Sequence, residues 1–339
     1  MVKSPRVSVV GATGLVGREI LKLLELRKFP YSELTLYASS RSAGEEVYVN
    51  DKKYTVKELK KEDFIRDTDL ALASAGKKVS ALLREWVRGT NAVVVDNSSA
   101  FRMDPEVPLV VPECNPEDLA QHSGYIANPN CSTIQLVVAL KALQDAFGLK
   151  RVVVSTYQAV SGAGHKAIEE LSSQSIALFN QRDPEIKVFP HRIAFNLIPQ
   201  IGAFDPSGYT EEELKVVYET RKILHIPDLP VTCTAVRVPV FACHSESVLV
   251  ELEQDPDVAD VRKAFEKQPG LVVLDDPSKN AYPMPLEGVE REEVFVGRLR
   301  KDLSGPRCFS FWCVSDNLWK GAALNALQVA EALLNPTWE

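Results

Sequence analysis

The chain has 339 residues, 45% of them hydrophobic, which is material for two packed domains, because a single core stops growing well short of that length. A formal net charge of -7 with no block of Lys or Arg weighs against nucleic acid or an anionic membrane as the main partner and favours a small anionic ligand. No stretch reaches the roughly 20 apolar residues of a membrane span and no signal-like apolar run follows Met1, so a soluble, cytoplasmic protein is expected. The six cysteines form no CxxC pair and no metal-like Cys/His spacing, so neither disulfides nor a metal are expected.

Arg6–Val10 reads as a short apolar strand, and Gly11-Ala12-Thr13-Gly14-Leu15-Val16-Gly17 follows at once and opens an apolar-periodic helix through Leu26. Strand, glycine loop and helix in that order cradle a pyrophosphate, because the loop backbone approaches closely and the first helical turn offers free N–H groups. The spacing is GxxGxxG rather than GxGxxG. Further strands at 34–37, 70–73 and 92–95, with a helix at 77–87, predict an α/β, Rossmann-type dinucleotide-binding domain. An NAD site would end the second strand with Asp or Glu, but here Ser39, Ser40, Arg41 and Ser42 follow it, and hydroxyls with a guanidinium suit the 2′-phosphate of NADP.

Cys131 lies in Asn128-Pro129-Asn130-Cys131-Ser132-Thr133, and residues 134–147 are a mostly apolar stretch without Gly or Pro that predicts a buried helix. A thiol at a helix entrance is favoured as thiolate by the unpaired N–H groups and the positive end of the helix dipole. Beyond it the pattern changes. A strand at 151–157, a helix at 163–179, an irregular stretch at 181–207 and a helix at 210–224 precede strands near 231–238, 247–252, 271–274, 294–299 and 309–314. Many strands with few helices between them predict a mixed or antiparallel sheet, hence a second, α+β domain. A helix over 318–334 closes the chain.

Four further motifs stand in order: Ser98-Ser99-Ala100-Phe101-Arg102, the Cys131 motif, Gln158-Ala159-Val160-Ser161-Gly162-Ala163-Gly164, and Arg237-Val238-Pro239-Val240 leading to His244-Ser245-Glu246. With the glycine loop and the Asp316-Asn317-Leu318 and Lys320-Gly321-Ala322-Ala323 segments, they make the chain closely resemble the aspartate-semialdehyde dehydrogenases over nearly its whole length. The resemblance implies a glyceraldehyde-3-phosphate-dehydrogenase-like arrangement. An NADP-binding domain spans 1–130, a catalytic and dimerisation domain spans 131–317, and a C-terminal helix over 318–339 completes the first domain. It implies a homodimer or dimer of dimers that reduces L-4-aspartyl phosphate to L-aspartate 4-semialdehyde with NADPH. Cys131 is then the nucleophile, His244 the acid/base group and Gln158 the residue that orients the acyl intermediate. Arg237 clamps the substrate carboxylate, Glu219 pairs with its ammonium, and Arg102, Lys222 and Asn130 hold phosphate. Gly11, Thr13, Gly14, Leu15, Val16, Gly17, Ser39, Arg41, Ser42, Ser161, Gly162 and Asn317 contact the cofactor.

Glu219 and Lys222 lie three apart and share a helix face, and so do Glu212 and Lys215; the family pattern Glu-Thr-x-Lys selects the later pair. The chain departs from the family at Ala242-Cys243, where glycine usually precedes the histidine, and at Trp319, where a polar or basic residue is usual. Two rival readings remain. An N-acetylglutamyl-phosphate-type reductase would share the cysteine chemistry but has no use for Glu219, and a catalytically silent, nucleotide-binding scaffold has no use for the intact Cys131, Gln158, Arg237 and His244.

Overall fold

A computed structural model describes residues 3–335, which form two compact units: one runs to Asn130 and resumes at Ala322, the other is Cys131–Gly321. In the first unit the strands are β1 (Arg6–Val10), β2 (Glu33–Ala38), β3 (Glu46–Val49), β4 (Lys52–Thr55), β5 (Lys57–Glu58), β6 (Leu70–Ala73), β7 (Val93–Asp96) and β8 (Tyr125–Ala127). Its helices before the second unit are α1 (Leu15–Leu26), α2 (Lys61–Asp67) and α3 (Lys77–Val87). Six strands form an all-parallel sheet in the order β5-β2-β1-β6-β7-β8. The central strands β1, β6 and β7 are apolar nearly throughout because both faces are covered, the usual signature of a parallel sheet. From β1 the chain goes to one side for β2 and to the other for β6, so the glycine loop leaves β1 at the switch point where such sheets bind ligands.

The second unit contains α4 (Cys131–Phe147), β9 (Leu149–Gln158), α5 (His165–Phe179), α6 (Glu211–Ile223), β10 (Val231–Arg237), β11 (His244–Leu252), α7 (Val258–Lys267), β12 (Leu271–Val273), α8 (Pro285–Gly288), β13 (Val294–Lys301) and β14 (Cys308–Ser315). Its six-stranded sheet is mixed, in the order β10-β9-β11-β14-β13-β12, with parallel pairs at β9/β10 and β12/β13 and antiparallel pairs between. Helix α4 is apolar on every face and buried on nearly every face, packing on this sheet and on α6 and α7.

The sequence-based helix over 318–334 divides in two. Asp316 Oδ1 accepts from the Leu318 and Trp319 N–H groups, Trp319–Ala323 forms a π-helical turn, and only α9 (Leu324–Leu334) is α-helical. Residues 336–339 of the expected terminal helix lie outside the described residues. In the first unit α9 packs on α1, and Arg27 of α1 pairs with Glu331 at 2.7 Å.

Candidate active site

Topology brings the second unit's polar side chains together. Strands β9 and β10 run parallel with Gln158 in register with Arg237, so their carboxyl ends coincide, while β11 runs antiparallel to β9 and begins at His244 on that same edge. Helix α6 adds a group from beside the sheet. Thr210 caps it in a capping box with Glu213, and the Glu213 carboxylate also accepts from the Ala235 N–H at 2.9 Å. That cap fixes the first turn so that Glu212 is buried, with Oε1 accepting from Gln158 Nε2 at 3.1 Å and Oε2 from Lys215 at 3.0 Å.

Gln158 is held from both sides. Its Oε1 accepts from the Thr156 hydroxyl at 2.9 Å, so the amide presents an N–H to Glu212, and its Nε2 lies 3.5 Å from His244 Nε2. The Ala159 N–H donates to His244 Nδ1 at 3.1 Å, which makes Nδ1 an acceptor and leaves the proton of the neutral ring on Nε2. Full burial, reinforced by the Arg237 cation and opposed by Glu212, lowers the His244 pKa to about 3. The ring is therefore neutral at physiological pH.

Arg237 is 5% exposed; its Nη1 donates to the Ala159 carbonyl at 2.7 Å. Burial lowers its pKa, and the charges of Glu212 and of Cys131 work the other way. Gly162 forms the wall behind these groups: a Cβ there would come within 3.0 Å of Arg237 Nη1 and 3.3 Å of the His244 ring. Cys131 opens α4, and Gly321 of the π-turn backs it so closely that a Cβ at 321 would lie 3.0 Å from the Cys131 Cβ. Ser161 and Asn317 are buried together and hydrogen-bonded at 2.9 Å.

Glu212 and Lys215 are the residues that sequence reasoning set aside. The carboxylate coupled to both Arg237 and His244 belongs to Glu212; Glu219 is buried two turns further along α6, and Lys222 is half-buried. The capping box, a Thr followed three residues later by Glu, was the readable signal that the first turn would be fixed. Cys243 has φ of 69°, a left-handed backbone that favours glycine, and its thiol points at Gly288, where an added Cβ would meet Sγ at 3.1 Å. Burial pushes that thiol up, so it stays protonated. The second departure is also absorbed: Trp319 is buried, 6% exposed, in the π-turn.

In the first unit each loop glycine answers a close approach. A Cβ at Gly11 would overlap the Ser74 carbonyl beside β6, and one at Gly17 would overlap the Gly11 carbonyl. Gly14 precedes α1, whose first turn has neither a side-chain cap nor an acidic residue, so its N–H groups are open to an anion. A cavity of about 420 Å³ is lined by Gly11, Thr13, Gly14, Ser39 and Ser40, among others. Thr13 donates to Ser42 at 3.3 Å, tying the glycine loop to the loop after β2, where Arg41 is exposed. One lining residue was not anticipated: β5 pairs with β2 and sets Glu58 opposite Ala38, so a carboxylate reaches the end of the second strand from its neighbour. Arg102, 7% exposed, donates to the Asn97 carbonyl at 2.9 Å; Asn130, 5% exposed, ends this unit next to Cys131 in sequence.

Comparison with known proteins gives a consistent answer. The family model described as the semialdehyde dehydrogenase NAD binding domain matches residues 6–122, and that of the semialdehyde dehydrogenase dimerisation domain matches residues 140–320. An aspartate-semialdehyde dehydrogenase of Aquifex aeolicus is 53% identical over 97% of this chain and 98% of its own length. The crystal structure of aspartate semialdehyde dehydrogenase II from Vibrio cholerae complexed with ASA superposes with a TM-score of 0.94 at 43% identity, covering 98% of each chain. The Candida albicans enzyme solved with NADP gives 0.76 at 25% identity, covering 97% of this chain and 98% of its own.

Proposed function

The chain belongs to the aspartate-semialdehyde dehydrogenase family, and from that premise we propose that it reduces L-4-aspartyl phosphate to L-aspartate 4-semialdehyde and phosphate through a thioester on Cys131. The observation that carries the reading is the convergence of Gln158, Glu212, Arg237 and His244 on one sheet edge, with the Cys131 charge felt at Arg237.

The first unit's residues fit a dinucleotide. Gly11 and Gly17 leave room that any side chain would fill, and the uncapped start of α1 faces a pyrophosphate. Ser39, Arg41 and Ser42 suit the 2′-phosphate of NADP. When bound, NADPH supplies the hydride that reduces the thioester. Ser161, Gly162 and Asn317 are assigned to its nicotinamide end.

Cys131 attacks the acyl carbon as thiolate, forming the C–S bond while the C–O bond to phosphate breaks and phosphate leaves with the electron pair. The Arg237 cation and the start of α4 favour the thiolate, so ionisation of the thiol does not depend on a charged histidine. His244 carries its proton on Nε2 and directs it, as a hydrogen bond, at the oxygen that gains negative charge as the thioester is reduced; collapse of that oxyanion then expels the Cys131 thiolate and frees the aldehyde, and the reverse direction passes through the same oxyanion. Gln158, fixed by Thr156 and Glu212, orients the acyl oxygen. Arg237 clamps the substrate carboxylate. Glu219, buried on the same helix, is assigned to the substrate ammonium, while Glu212, held by Gln158 and Lys215, adds a negative charge beside Arg237 and His244. Arg102, Lys222 and Asn130 are assigned to phosphate, and Lys215 pairs with Glu212.

The free ammonium also separates the rival substrates: an acylated amine would bring no cation to the buried Glu219 carboxylate. A phosphate-dependent rise in NADPH absorbance with aspartate semialdehyde, and not with N-acetylglutamate semialdehyde, tests the proposal. No rise with either would return the chain to the silent-scaffold reading. Exposed Ile176, Phe179, Phe195, Leu197 and Phe204 in and after α5 support assembly as a homodimer, with a dimer of dimers as the larger form. No helix among the described residues is long and apolar enough to cross a membrane, which accords with a cytoplasmic enzyme.

A further inference from the structure

Beneath Gln158, Arg237 and His244 lies a second polar layer that the proposed chemistry does not use. Glu246 follows His244 by two positions on β11 and stands on the same face of the sheet; Gln135 follows Cys131 by four on α4 and shares its helix face. Glu246 is fully buried and Gln135 is 1% exposed. Glu246 is flanked in register by Thr156 of β9 and Cys313 of β14, and the Cys313 thiol donates to the Gln135 carbonyl at 3.9 Å. Neither Glu246 carboxyl oxygen and neither polar atom of the Gln135 amide makes a well-formed hydrogen bond with another group. The two side chains are nonetheless neighbours, close enough for the amide to act on the carboxyl. Unsatisfied groups in a dry interior are costly, and their retention beside a reaction centre asks for a reason.

We infer that Glu246, as a neutral carboxylic acid, and the Gln135 amide form a reciprocal hydrogen-bonded pair that fixes the first turn of α4 to the start of β11 and so holds Cys131 in working relation to His244. The acid O–H donates to the amide oxygen while the amide N–H donates to the acid carbonyl, a closure available to the protonated form alone. The surroundings favour that form. Burial pushes the Glu246 carboxyl well above its usual range, opposed only in part by Gln135. The titratable groups that face it are the Cys313 thiol on β14 and the Cys233 thiol on β10, both raised by burial and both further raised by a charge at Glu246, while His244 on its own strand is neutral. None supplies a counter-charge. Glu246 and Gln135 are thus positioning residues, and their role rests on Cys131 as nucleophile.

The test compares full-length wild type, Glu246→Gln and the double variant Gln135→Met with Glu246→Met, by turnover, melting temperature and the pH dependence of Cys131 alkylation by iodoacetamide. Glu246→Gln keeps the charge state and the pairing, so kcat should stay within about threefold and the alkylation midpoint should not move. A raised pKa favours folding below the unfolded value and loses that contribution as pH rises, so the melting-temperature gain of Glu246→Gln over wild type should grow from about pH 5 to pH 8. The double variant replaces both partners with apolar side chains of similar volume, so it should fold as stably as wild type, keep both KM values, and lose about tenfold in kcat through misplacement of the thiol. Wild-type kcat in the double variant would make the pair merely structural and overturn the inference. An alkylation midpoint moved to lower pH in Glu246→Gln would show a charged Glu246 and overturn it equally. If wild type had no turnover, the proposed function would fail, while the alkylation and melting readings would still decide whether Glu246 is neutral.

Discussion

The two units build their sites from opposite materials. The first uses backbone: three glycines, an uncapped helix start and a ring of small polar side chains around a cavity. The second uses buried titratable side chains, Glu212, Arg237 and His244, brought from three elements to one sheet edge. A backbone cradle takes whatever carries a phosphate, and its selectivity rests on a few rim residues. A cluster of buried charges is tuned by mutual placement, so that removing one partner leaves the others exposed to their own desolvation.

The largest expected effect lies in the second unit. Glu219→Gln should raise the KM for aspartate semialdehyde about 100-fold, the value of a buried charge-assisted contact, with little change in the KM for phosphate. Glu212→Gln, which keeps a polar group beside Gln158, should change the semialdehyde constant much less. Steady-state kinetics in the phosphorolytic direction reads both, and the opposite ranking would make Glu212 the ammonium partner.

Next comes the rim of the first unit. Arg41→Ala should weaken NADPH about 30-fold while barely touching NADH, as expected for loss of a charged contact to the 2′-phosphate. Glu58→Gln should change the same ratio in the other direction, by about threefold or less at this exposed position. Fluorescence titration of bound nucleotide gives both ratios; equal losses for the two cofactors in Arg41→Ala would remove the selectivity from this loop.

This contrast also sets what the sequence could reveal. The nucleotide cradle is contiguous, seven residues running from the end of β1 into the first turn of α1, so pattern and spacing suffice to find it. Register within the second sheet was beyond reach from sequence, since it depends on pairings such as Arg237 with Gln158 across nearly eighty residues. Two acid–lysine pairs of equal spacing on α6 look alike in sequence, and the Thr210 cap and the bond from Gln158 show what the earlier one does in the fold. Glu58 escaped for the same reason, being delivered by a neighbouring strand too short to announce itself. The π-turn at Trp319–Ala323 escaped because its residues are also good helix formers.

The smallest effect concerns Cys243. Relief of its left-handed backbone predicts that Cys243→Gly stabilises by about 1 kcal/mol, less the packing lost at Gly288, with no change in kcat. Chemical denaturation measures it, and a clear loss of stability would mean that the thiol's packing outweighs the strain.

The central claim is that the nucleophile is Cys131 and that Cys243, just before β11 in the same unit, is inert. Incubating the protein with aspartate semialdehyde and NADP without phosphate should accumulate the acyl enzyme, since the second displacement has no acceptor. Peptide mass spectrometry should then find the aspartyl adduct on Cys131, and Cys131→Ala should show none while still binding NADPH. An adduct on Cys243, or one that survives in Cys131→Ala, would contradict the account.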